Sequence, residues 1–102
     1  QVDLCLLLTT LNKRIVDAEK STDHEIGHAY FLGVKNMEAL ATVMFRQVIP
    51  QLREYFFDQA DKIHKILAPA GQQRSKFIDA REKTDMEALR LPANYRQLYG
   101  AD

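Results

Sequence analysis

The chain has 102 residues, 46% apolar and 27% charged, with only four glycines and three prolines, which excludes a disordered or collagen-like polypeptide and leaves room for one domain. Fourteen Lys and Arg balance fourteen Asp and Glu, so no global field gathers polyanions and stand-alone nucleic-acid binding is disfavoured. The single cysteine, Cys5, excludes an internal disulfide, and a reducing cytoplasm is the expected compartment.

The most apolar stretch, residues 2–11, is interrupted by Asp3, Thr9 and Thr10 and is too short to span a bilayer, so no membrane is expected. From 2 to about 19, Leu4, Leu8, Leu11 and Ile15 recur at helical spacing, with Leu7 and Cys5 widening the stripe. This predicts a first amphipathic helix, with Asp17, Glu19 and Lys20 facing water. The polar run Lys20-Ser21-Thr22-Asp23 ends it. Residues 25–34 are apolar and aromatic with two glycines and follow neither a helical nor a strand period.

Asn36 is suited to cap a helix over 37–49, with Glu38 in its first turn and Leu40, Val43, Met44 and Val48 on its apolar face. Pro50 is expected to stop or kink it and to open a third helix over 50–67, striped by Leu52, Tyr55, Phe56, Ile63, Ile66 and Leu67. Ala68-Pro69-Ala70-Gly71 ends that helix. Over 72–85 the pattern weakens around the pair Phe77-Ile78, and one short edge strand is expected near residues 76–79. Residues 85–91 predict one or two helical turns broken by Pro92-Ala93-Asn94, after which Tyr95, Leu98 and Tyr99 pack the tail back onto the bundle. The fold class expected is all-α: a small helical bundle over 1–71 and a weakly structured C-terminal arm over 72–102.

His24-Glu25-Ile26-Gly27-His28 matches H-E-x-x-H, in which zinc peptidases hold two imidazoles one helical turn apart and use the glutamate to activate water. The extended form of that motif fails here, because Phe31 and Val34 stand where its glycine and third histidine belong. Glu54 is the remaining candidate for a third ligand, and nothing singles it out. The residues before His24 are turn-like, which puts the histidines in a loop or at a helix start. Coincidence is the favoured reading, a minimal peptidase on His24, Glu25 and His28 the rival. His64 falls on the polar side of the third helix and reads as a solvated histidine.

Three blocks in order carry a more specific pattern. Leu11-Asn12-Lys13-Arg14-Ile15, then Ile26-Gly27-His28-Ala29-Tyr30-Phe31, then Ile49-Pro50-Gln51-Leu52-Arg53-Glu54-Tyr55-Phe56-Phe57-Asp58 resemble, over roughly residues 8–67, the C-terminal helical lid of the McrB family of AAA+ GTPases. Those proteins are the NTP-driven motor subunits of modification-dependent restriction systems. Ala29 departs from the family's serine, and Gln51 and Arg53 depart from apolar or amide residues.

The resemblance implies a lid that closes over nucleotide held by a P-loop domain elsewhere in the same chain, since no G-x-x-x-x-G-K-[ST] is present. The opening on Gln in mid-pattern likewise suggests a piece of a longer protein. By analogy with related lids, Gly27, His28 and Tyr30 would bind the cofactor: Gly27 by close backbone approach, His28 and Tyr30 through phosphate, base or the neighbouring domain. GTP or ATP with magnesium would belong to the parent, not to this piece, which is expected to have no activity alone. Neighbouring subunits of a ring, a nuclease subunit and DNA would be the parent's partners.

Blander roles stand beside these. His28 reads equally as an interior hydrogen-bonded histidine, Tyr30 and Phe31 as core plugs, and Tyr55-Phe56-Phe57 as core with one ring spare for a domain contact. Arg14 and Arg53 read as solvated helix charges before any arginine-finger or sensor role, and Lys62, His64 and Lys65 as a wet basic face. A plain helical interaction module is the third alternative.

Overall fold

Asp3 starts the first helix. Its carboxylate accepts the Leu6 amide at 3.0 Å, the bond an N-cap side chain supplies to an otherwise unpaired donor. The computed structural model describes residues 1–21 and 23–100; Thr22, within the expected turn, and Ala101 and Asp102, at the end of the expected arm, lie outside the described residues. Helix α1 spans Leu4–Glu19 and closes at Lys20, whose left-handed backbone (φ 61°) brings its N–H to the Val16 carbonyl at 2.6 Å. Leu7, Leu11 and Ile15, each four residues apart, are fully buried. Leu4 and Leu8 only flank that line, and Cys5, read as part of the apolar stripe, is exposed.

A second capping bond, Ala39 N–H to Asn36 Oδ1 at 2.8 Å, opens α2 over Met37–Val43. The chain then runs through a π-helical turn, Met44–Val48, into α3, Ile49–Tyr55, without stopping. Pro50 has no N–H for the carbonyl four residues back and its ring would press on that carbonyl; a widened turn ahead of it accommodates both. The expected unbroken helix over 50–67 is divided. Phe56 leaves the helical region and Asp58 takes φ 62°, a left-handed conformation that Asp tolerates better than most residues. That reversal buries Phe56, leaves Phe57 76% exposed and turns α4, Ala60–Leu67, onto α1.

In the last third the expected strand shrinks to a single antiparallel bridge between Ile78 and Thr84. The reason lies in Asp79, whose side chain accepts the Arg81 and Lys83 amides at 2.8 and 3.0 Å and tightens the chain into a turn before a ladder can grow. Two further helices follow, α5 at Met86–Leu89 and α6 at Pro92–Tyr99. Pro92 opens α6 and does not merely break α5, since a first-turn proline loses no helical bond. Phe77, Ile78, Leu89, Tyr95 and Leu98 join Leu7, Leu11 and Ile15 in one apolar cluster. The bundle is all-α, and among the described residues no helix is long and apolar enough to cross a membrane.

His64, read as solvated, is 3% exposed. The segment after Gly71 folds over its side of α4: the Ser75 N–H donates to Nδ1 at 3.0 Å, so the proton sits on Nε2, which donates to Glu82 at 2.9 Å. This hydrogen bond, ahead of the one from Arg74, holds the Glu82 carboxyl below the usual carboxylate range. A carboxyl lowered in the folded state contributes stability above its unfolded pKa that is lost as pH falls through the folded one. Acid unfolding of Glu82→Gln should therefore lose less stability than the parent below about pH 4.5. Parallel pH profiles from denaturant titrations would contradict this.

Candidate functional site

The Leu11–Ile15 block turns out to be a joint. Leu11 and Ile15 face the core, Lys13 is exposed, and Asn12 and Arg14 reach in different directions to other segments. Asn12 grips the backbone of Ile26 on both sides, donating from Nδ2 to its carbonyl at 2.9 Å and accepting its amide on Oδ1 at 2.5 Å. Arg14 is no solvated charge: Nη1 donates to the carbonyls of Ile66 and Ala68 at 2.9 and 2.7 Å, and Nη2 to that of Leu98 at 2.8 Å. Burial pulls the guanidinium below its ordinary value. Arg53 is also engaged, with the Glu82 carbonyl at 3.1 Å and Thr84 Oγ1 at 3.2 Å.

With Ile26 gripped and buried, the next residues are displayed. Gly27 has an ordinary extended backbone (φ −72°), and a short 3₁₀ turn spans His28–Phe31, closed by Tyr30 N–H to the Gly27 carbonyl at 3.3 Å. Phe31 plugs the core, whereas Gly27, His28, Ala29 and Tyr30 are all exposed, Tyr30 by 39%. His28 as an interior histidine and Tyr30 as a core plug are thus corrected: of the four residues Phe31 alone is buried, and Tyr30, a third of a turn from it, lies on another face. A Cβ on Gly27 would meet nothing within 4 Å, so no close approach inside this chain requires glycine there. Neither the His28 imidazole nor the Tyr30 phenol has a hydrogen-bond partner among the described residues. A groove of about 230 Å³, lined by Leu4, Cys5, Leu8, Phe31 and Leu32, adjoins His28.

The H-E-x-x-H residues do not share a helical face. Residues 23–27 form a turn and an extended link, and His28 begins the 3₁₀ turn. His24 is occupied otherwise: its Nδ1 lies 2.6 Å from Glu19 Oε2 and its ring stacks on Tyr55 at 4.1 Å. Glu19, expected in water, turns inward to make this contact, its side chain only 17% exposed. Glu25 and Glu54 are exposed. No three or more potential metal ligands gather among the described residues. The basic trio is split, with Lys65 exposed, Lys62 half-buried and His64 interior. Sequence reasoning missed Asn12, Glu19 and Arg14 as anchors; the one signal was their place in or just beyond the first block.

Fold and surface together define a small all-helical bundle that holds an exposed turn on a well-anchored base. Residues 3–64, which contain all three sequence blocks, match the family described as McrB, alpha-helical lid domain, and the chain belongs to that family. Among curated proteins and among solved structures, nothing matches it.

Proposed function

We propose that this chain is the nucleotide-closing lid of an AAA+ NTPase resembling the GTP- or ATP-driven motor subunit of a McrBC-type restriction system. The carrying observation is the Gly27–Tyr30 turn: exposed, its imidazole and phenol without a hydrogen-bond partner among the described residues, and fixed from behind by Asn12 and by the buried side chains of Ile26 and Phe31. An imidazole and a phenol held this way suit a phosphate oxygen and a base or sugar, while phosphates and magnesium would be held by a P-loop domain of the same chain. Residues 1–71 form the lid proper in this reading and 72–102 an arm packed on it. Lid movement on nucleotide binding would pass to neighbouring subunits of a ring, and the parent would drive a nuclease subunit along DNA.

The peptidase alternative loses its support, because the two histidines are not presented from one helical face and His24 is held by Glu19 and Tyr55. A protein-interaction module remains served by Leu32 and Phe57, 73% and 76% exposed, which a lid would turn toward neighbouring subunits. In the chain joined to its P-loop domain, His28→Ala and Tyr30→Ala should each weaken nucleotide binding by about tenfold, one lost charge-assisted or stacking contact, with little change in melting temperature. Unchanged affinity in both variants would refute the assignment of the turn to nucleotide.

A further inference from the structure

His24 belongs to the H-E-x-x-H pattern, is left unused by the proposed function, and is held on two sides near the turn. One face of its ring lies on Tyr55, with centroids 4.1 Å apart and planes within 12°. Its Nδ1 lies 2.6 Å from Glu19 Oε2, in the short range of charge-assisted bonds. Tyr55 is itself fixed from α3, its hydroxyl donating to Gln51 Oε1 at 3.0 Å. Three segments therefore meet at this imidazole: the last turn of α1, the link before Gly27, and the last turn of α3.

Two details separate this cluster from ordinary packing. Glu19 Oε1 is buried with no hydrogen-bond partner among the described residues, so the carboxylate is held inward through Oε2 and His24. The cluster also reaches the exposed turn. Only Glu25, Ile26 and Gly27 separate His24 from His28, the first residue of the 3₁₀ turn.

We propose that His24 is a positioning residue: clasped between Glu19 and Tyr55, it sets, together with the Asn12 grip on Ile26, the direction in which His28 and Tyr30 are presented. That nucleotide is what they meet rests on the function proposed above. The clasp itself does not. It ties the link to the ends of α1 and α3, beside the Asn12 grip and the buried Ile26 and Phe31, so that losing it loosens the turn at its N-terminal approach.

Amide hydrogen exchange on this chain reads the clasp directly at Ile26, Tyr30 and Leu32, whose amides are all hydrogen-bonded. His24→Ala should speed their exchange by about tenfold while Leu11 and Tyr95 keep their parental rates. His24→Asn, which returns a donor near the Nδ1 position, and His24→Phe, which returns the stacked ring, should each restore part of the protection. Unchanged rates at the three amides would overturn the proposal, and so would a rise shared equally by Leu11 and Tyr95 or a failure of both rescues. In the chain joined to its P-loop domain, His24→Ala should raise KM for nucleotide about tenfold with kcat unchanged. Faster exchange with an unchanged KM would uphold the clasp and refute the nucleotide reading.

Discussion

Arg14→Ala should destabilise the chain by about 2–4 kcal/mol, because it strips a charged donor from several partly buried carbonyls at once. For a domain of this size that is a fall of roughly 10–20 °C in melting temperature. The last carbonyls of any helix lack partners within it, and a cation there also meets the negative end of the helix dipole. One guanidinium serves two helix ends here: it bonds Ile66 and Ala68 at the close of α4 and Leu98 in the last turn of α6. Arg14→Lys keeps the charge but not the planar fork that spans both ends, so it should recover about half the loss. Thermal and urea unfolding of the two variants decide the matter. An effect within about 0.5 kcal/mol for Arg14→Ala, the range of an ordinary surface charge, would contradict the assignment.

Tyr95→Ala should cost about 3–5 kcal/mol, the usual range for removing a large buried ring. The side chain is completely buried, its ring lies 4.9 Å from that of Phe77, and its hydroxyl donates to the Leu89 carbonyl at 2.7 Å. Burial pushes the phenol well above its ordinary value. Tyr95→Phe removes only the hydroxyl and should cost about 1 kcal/mol. Urea titration tests both. Near-neutral behaviour of Tyr95→Ala would mean that α6 is dispensable to the core, against its packing on α1.

Helical periodicity was enough to place α1 and the start of α2, and the caps at Asn36 and after Leu67 were readable from side-chain chemistry. The break at Asp58 was not, because the apolar spacing from Phe56 to Ile63 suits an unbroken helix and the reversal rests on a left-handed aspartate. The edge strand failed for a similar local reason, the tight turn built by Asp79. Polar residues were misjudged more often than apolar ones. Arg14, Arg53, Glu19 and His64 all read as solvent-facing on a helical wheel, which cannot know that another segment will fold over that face. The Gly27–Tyr30 turn was legible as a block, though not which of its rings would point inward; Phe31 is buried and Tyr30 exposed, a choice made by the 3₁₀ geometry.

In the proposed function the turn from Gly27 to Tyr30 faces a nucleotide bound by another domain. Hydrogen exchange on the chain joined to its P-loop domain, with and without a non-hydrolysable nucleoside triphosphate, tests it most directly. New protection is expected at the amides of residues 27–32, with little change along α4 and α6. Protection confined to α4 and α6, or none at the turn, would contradict it.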